Sequence, residues 1–191
     1  MYNTSENAQV HHSLEALSDA LFEAMREKPF RRVTVTEICR RAGLTRRTYY
    51  RNVEDRIDLV DWKTDDLVTR LIEGTDYESV DAVSLYGNFF RFWFRNRQFL
   101  ATVYAQGLFA RFERRFVNNA VIAQDYSFLE EFLEGKEGVE TYRLFHNAFI
   151  MGGLCTVLAF WTASGFAAPV EALVETLVHF APEYRPEPTG L

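Results

Sequence analysis

Between positions 45 and 53 the chain reads Thr-Arg-Arg-Thr-Tyr-Tyr-Arg-Asn-Val, a run dense in groups that hydrogen-bond to nucleic acid. The guanidinium forks of Arg46, Arg47 and Arg51 match guanine edges or phosphates. The hydroxyls of Thr45, Thr48 and Tyr50 and the amide of Asn52 suit phosphates or bases. With Thr45 as N-cap the run makes a short helix in which Tyr49 and Val53, four apart, share one face and the other side chains point outward. Arg46 and Arg47 then fall in the first turn, where a recognition helix enters the major groove. This assigns Arg47, with Arg46 beside it, to base edges, and Tyr50 and Asn52 to the phosphate backbone. Thr34 and Thr36 open the preceding helix, where free amides and the helix dipole favour a phosphate, and Arg56 is placed to clamp another. Arg40 and Arg41, on the outer face of that helix, read equally well as phosphate contacts or as solubilising charges. The bland alternative for the whole group is a solvated surface helix anchored by one tyrosine.

The elements that must position these residues are legible as helices. Leu14, Leu17, Leu21, Phe22 and Met25 recur at spacings of three and four, which predicts an amphipathic helix over His12 to Arg26 ending before Pro29. Thr34-Val-Thr-Glu37 has the form of a capping box, with the Thr34 hydroxyl accepting from the Glu37 amide and Glu37 reaching back. A second helix starts there and buries Val35, Ile38, Cys39 and Ala42. Gly43 stops it with a positive φ, and Leu44 plugs the corner. Two short helices joined by a glycine-containing turn form the helix-turn-helix pattern. Asp55 caps a longer helix towards Ile72, with Ile57, Val60, Leu67 and Leu71 facing inward. Further helices are expected over Ser79 to Arg95, Gln98 to Tyr104, Leu108 to Val121, Asp125 to Leu133 and Val139 to Ala163, with Gly135 and Gly138 in a loop. A last helix has Pro169 in its first turn and ends near Phe180. The expected fold class is all-α, with nine or ten helices and no strand pattern.

Composition supports this reading. A chain of 191 residues, 48% hydrophobic, is long enough to bury a sizeable core. Its net charge of −6 conceals a split: residues 26–56 sum to +6, whereas residues 1–25 sum to −4 and residues 57–191 to −8. A basic segment of about thirty residues in an acidic protein is the charge footprint of a small DNA-reading module on a larger acidic body. Cys39 and Cys155 are far apart, and the polar start at Met1 to Gln9 does not read as a signal peptide. A reducing cytoplasm with both thiols buried is the expectation. The apolar run Ala148 to Ala168 approaches the length of a membrane span, but Gly152, Gly153, Ser164 and Gly165 interrupt it and neither flank carries a basic cluster. Burial between protein subunits is the better reading.

The stretch Phe30-x2-Val33-Thr34-Val35-x2-Ile38-x3-Ala42-Gly43-Leu44-Thr45-x2-Thr48-Tyr49-Tyr50-Arg51-Asn52 resembles the N-terminal signature of the TetR family of transcriptional regulators. Glu54 to Leu59 resembles the start of that family's fourth helix, and the likeness covers about Leu14 to Leu71. More loosely, Asn96 to Leu100, Gly107-Leu108, Phe149 to Gly153, Trp161 and Gly165 resemble the ligand domain of the dihydroxyacetone-kinase regulator group. Val53 departs from a usual phenylalanine and Arg47 from a usual small residue. The resemblance implies a three-helix helix-turn-helix DNA-binding domain over residues 1–55 and a helical effector-binding and dimerisation domain over 56–181, with a loosely held tail over 182–191. It also implies a homodimer on palindromic operator DNA, repression as the commonest mode, and release by a small-molecule effector.

Within the C-terminal part, Phe89, Trp93, Tyr104, Phe112, Phe116 and Phe149, with His146 as a polar contact, are the expected lining of a largely apolar effector cavity. At helical spacing most of these aromatics read as ordinary core, and His146 reads more readily as a satisfied core or interface histidine. Gly152 and Gly153, with Trp161, are the expected dimer interface, since glycines let two long helices approach closely; close packing within one subunit is the alternative. No nucleophile triad, phosphate-cradling glycine loop or metal-ligand pair is present in the sequence, so no enzyme activity, metal or cofactor is expected. The competing reading is a helical interaction protein without sequence-specific DNA binding.

Overall fold

The structure, a computed structural model, describes residues 4–75, 81–123 and 139–180. Among the described residues the chain is all-helical. In chain order the helices are α1 (Thr4–Glu27), a 3₁₀ turn (Phe30–Arg32), α2 (Val35–Ala42), α3 (Arg46–Asn52), α4 (Arg56–Glu73), α5 (Ala82–Arg95), α6 (Arg97–Ala105), α7 (Phe109–Ala123), α8 (Val139–Ala163) and α9 (Val170–Phe180). The first helix starts well before His12. Pro169 stands just ahead of α9 rather than inside it, and its carbonyl accepts from the Ala172 and Leu173 amides at 3.2 and 3.4 Å. The helix expected over Asp125 to Leu133, the glycine loop after it and the C-terminal tail lie outside the described residues.

Local chemistry accounts for the short helices. Thr34 caps α2 by accepting from the Glu37 amide at 3.2 Å, and Gly43 ends it at φ 66°, ψ 23°, a left-handed geometry that costs glycine little. The Leu44 amide then returns to the Cys39 carbonyl at 2.9 Å, which seats Leu44 half-buried in the corner. Asp55 caps α4, accepting from the Ile57 amide at 3.1 Å, while the Asp58 carboxylate accepts from the Asp55 amide at 2.8 Å in a reciprocal box. Asp81 caps α5 through the Ser84 amide at 2.7 Å.

Burial divides into two clusters. The first collects Leu17, Leu21 and Met25 of α1 with Val33, Ile38, Tyr49, Val53, Leu59 and Val60. The second is aromatic, built from Phe89, Phe90 and Trp93 of α5, Leu100 of α6, Phe112 and Phe116 of α7, and Leu158 and Trp161 of α8. Helix α4 belongs to both, giving Leu59 and Val60 to the first and Leu67, Val68 and Leu71 to the second. Phe22 and Leu108 pack against both clusters as well. Motion of α4 along its axis therefore disturbs both cores, because close-packed interiors transmit displacement rather than absorb it.

Helix α8 carries apolar residues all round, although it is the longest element of the described chain. One side buries Leu154, Cys155, Leu158 and Trp161. The other leaves Phe145, Phe149 and Phe160 exposed, at 68%, 79% and 75% of their free surface. Among the described residues, no helix is long and apolar enough to cross a membrane.

Candidate functional site

Helix α3 is held by its inner face alone. Tyr49 and Val53 are buried in the first cluster, and the Tyr49 hydroxyl has no hydrogen-bond partner there. Burial pushes that phenol up to about 12, so it stays neutral. Thr45 caps the helix by accepting from the Thr48 amide at 3.1 Å, and the two hydroxyls lie 3.0 Å apart. What remains faces outward: Arg46, Arg47 and Arg51 are exposed, Tyr50 is 57% exposed, and the Arg46 guanidinium sits 6.0 Å from the centre of the Tyr50 ring. Asn52 differs from expectation. It is half-buried, with its amide donating to the Thr48 carbonyl at 3.0 Å, so its nitrogen is engaged within its own helix.

The preceding helix shows which arginines are already engaged. Arg41 bonds to Glu27 and lies 3.3 Å from Glu37, while Lys28 reaches Glu37 at 2.7 Å. This network ties the end of α1 to α2 and settles Arg41 as a strut. It also removes Glu37 from the expected capping box: the Thr34 half is made, but the Glu37 carboxylate turns to Lys28 and Arg41 instead of the Thr34 amide. The hydrogen bond from Lys28 holds the Glu37 carboxyl below its ordinary 4.5, and the bond from Arg41 does the same for Glu27. Thr34, Thr36 and Arg40 are exposed.

Arg56 corrects another expectation. Instead of pointing out towards a phosphate, its guanidinium donates to the Val33 carbonyl, lies 3.5 Å from the Phe30 carbonyl and stands 5.3 Å from the centre of the Phe30 ring. It is half-buried and clamps the 3₁₀ turn. A second clamp comes from far along the chain. Gln106, at the corner between α6 and α7, accepts from the Phe30 amide at 2.8 Å and donates to the Met25 carbonyl at 2.7 Å. The sequence carries no signal for Gln106, because its partners are 76 and 81 positions away.

Between positions 31 and 51, Arg31, Arg32, Arg40, Arg46, Arg47 and Arg51 are all exposed and, among the described residues, have no carboxylate within ion-pair distance. Arg31 and Arg32, in the turn, were not among the expected contacts. In the body the pattern changes. Arg111 grips Asp61 through bonds of 2.6 Å, and Arg115 bonds to Asp65, a ladder joining α7 to α4. Elsewhere among the described residues, Arg91 and Arg95, one turn apart on α5, Arg97 at the start of α6 and Arg114 on α7 are also exposed without a carboxylate within ion-pair distance, a sparser set than the six between 31 and 51.

Among the described residues, four of the aromatics expected to line an effector cavity are packed into the second cluster. Phe89, Trp93, Phe112 and Phe116 fill one another's space, with ring centres 5.2 to 6.5 Å apart, and the Trp93 indole N–H is sealed inside without an acceptor. Tyr104 and Phe149 face outward instead, at 44% and 79% exposure. The His146 side chain lies outside what the structure describes. An open groove does run between α1 and α6, where Lys63 pairs with Asp19 at 2.9 Å and Arg26 donates to the Gln98 side-chain carbonyl at 3.2 Å.

Of the residues expected at a dimer interface, Trp161 is instead buried in the second cluster, donating its N–H to the Ala168 carbonyl at 2.8 Å. Among the described residues, Gly152 and Gly153 face open space: a Cβ at either would meet nothing within 4 Å. Among the described residues no cluster of three or more potential metal ligands occurs. In comparisons with known proteins, no protein-family model and no curated protein matches this chain.

Proposed function

We propose that this protein is a TetR-like transcriptional regulator that binds double-stranded DNA as a homodimer through a helix-turn-helix formed by α2 and α3. The observation that carries the reading is the set of exposed, unpaired arginines at positions 31 to 51 in a protein of net charge −6. An arginine on an acidic protein has carboxylates available, and Arg41, Arg70, Arg111 and Arg115 have found them. Keeping a concentrated group unpaired on one small module leaves its charge available to a polyanion. On this reading Arg47, with Arg46, contacts base edges and Tyr50 contacts phosphate, while Thr34, Thr36, Thr45, Thr48 and Arg51 line the same surface.

The homodimer rests on α8. Phe145, Phe149, Gly153, Thr156 and Phe160 follow one another at spacings of three and four and are all exposed, an apolar stripe on one helix face. A second copy packing the same stripe against it buries both and places two reading heads on one duplex with two-fold symmetry. Small-molecule release remains part of the proposal, with repression as the default mode. The solid aromatic core gives no reason to seat the effector among Phe89, Trp93, Phe112 and Phe116.

Selection of fragments from genomic DNA by the purified protein tests the proposal. A palindromic motif in the recovered fragments is the expected result. Recovery without any motif overturns sequence-specific regulation and favours a helical interaction protein.

A further inference from the structure

The Phe30–Arg32 turn has a construction that surface loops rarely receive. Its first amide is held by Gln106 at 2.8 Å, and its flanking carbonyls, Phe30 and Val33, are held by Arg56. The turn closes on itself through the Arg32 amide to the Pro29 carbonyl at 2.8 Å and the Val33 amide to the Phe30 carbonyl at 3.1 Å. On this rigid platform stand Arg31 and Arg32, both exposed and neither paired to a carboxylate. Adjacent like charges repel, and solubility needs no such clamp in a protein already far from neutral.

We propose that Arg31 and Arg32 form a further DNA contact, each neutralising a backbone phosphate beside the site read by α3. This rests on the DNA-binding reading above and extends it to residues outside the helix-turn-helix. Phosphate is the matching partner because a guanidinium presents paired N–H donors to two oxygens at once, whereas a lone 3₁₀ turn has no helix to lay in a groove for base reading. The position agrees. Arg31 is three residues from Thr34, so their backbones lie within about 10 Å of each other, and both belong to the edge that leads into α2. The clamps lower the cost of binding, because a turn already fixed in place loses little freedom when the DNA arrives.

The test uses the full-length protein, the R31Q/R32Q double variant and the charge-preserving R31K/R32K variant. Each is titrated by fluorescence anisotropy against a duplex carrying the selected motif and against a random-sequence duplex, between 50 and 200 mM salt. Losing two phosphate contacts reduces the slope of log K against log salt by about 1.8. The ratio of wild-type to R31Q/R32Q affinity therefore shrinks about tenfold across that range, equally on both duplexes, while R31K/R32K keeps the wild-type slope. An R31Q/R32Q slope equal to wild type overturns this proposal and leaves the DNA reading intact. Wild-type protein that binds neither duplex overturns both. Both side chains are exposed and touch no carboxylate, so the variants retain the wild-type melting temperature.

Discussion

Tyr49 and Tyr50 are neighbours with opposite environments, and the difference sets what each can do. Tyr49 is sealed in the first core with its hydroxyl unpartnered, whereas Tyr50 is 57% exposed. Tyr49→Phe removes a buried polar group that makes no bond, so denaturant unfolding should show unchanged stability or a gain of about 1 kcal/mol. A loss of that size would show that the hydroxyl is satisfied in solution. On the proposed DNA-binding reading, Tyr50→Phe and Arg47→Ala separate phosphate contact from base reading. The first should weaken binding alike on selected and random DNA, and the second should cost about 1–3 kcal/mol of discrimination between them. Equal losses on both sequences for Arg47→Ala would remove it from base reading. Gln106 belongs to this scale too. Gln106→Leu strands the Phe30 amide and the Met25 carbonyl, and should lower unfolding free energy by about 1–3 kcal/mol. An unchanged urea midpoint would mean that the joint is held by packing alone.

At the scale of elements, the caps of α2, α3 and α4 were readable because their chemistry is local: Thr34, Gly43, Thr45 and Asp55 act on residues at most five positions away. The second half of the α2 capping box was not readable, since Glu37 had competing cations in Lys28, from the end of α1, and Arg41. That competition has a pH signature. Hydrogen bonding to Lys28 holds the folded Glu37 carboxyl below 4.5, so its contribution to stability is fully present above 4.5 and disappears as pH falls through the folded value. Near neutral pH, Glu37→Gln should lower Tm by about 1–3 °C, and the gap to wild type should close as pH falls below 4.5. A gap that persists unchanged as the carboxylate is titrated in acid would show that its charge contributes nothing. The 3₁₀ turn belongs here as well: Arg56 reads from sequence as an outward phosphate clamp, and only the fold brings the Val33 and Phe30 carbonyls to it.

For the whole molecule, α4 is the shared beam. It is packed into both cores and pinned to α7 by the Asp61–Arg111 and Asp65–Arg115 pairs. Helix α4, the Gln106 joint, and Phe22 and Leu108, which pack against both clusters, are contiguous routes between the two cores. The exposed stripe of α8 makes the assembly testable. Phe149→Glu combined with Phe160→Glu places charges on side chains 79% and 75% exposed in the single chain, so the fold should stand and the helical circular dichroism should not change. Light scattering should report twice the 22.2 kDa chain mass for wild type and 22.2 kDa for the variant. A wild-type monomer, or a variant that stays dimeric, would dismiss this face as the interface.

Among the described residues, sequence alone determined the all-helical class, the boundaries of the helices to within a turn beyond α1, and the caps, together with the segregation of positive charge into residues 26–56. These follow from periodicity and from contacts a few residues long, which the order of residues states directly. Tertiary structure alone decided how identical residue types divide their roles. Arg41 and Arg56 became struts while Arg31, Arg40 and Arg47 stayed unpaired, and Phe112 and Phe116 filled a core while Phe149 and Phe160 faced outward. The reason is physical: an arginine's partner and a ring's burial are set by what the chain brings from tens of positions away, and helical periodicity is blind to that.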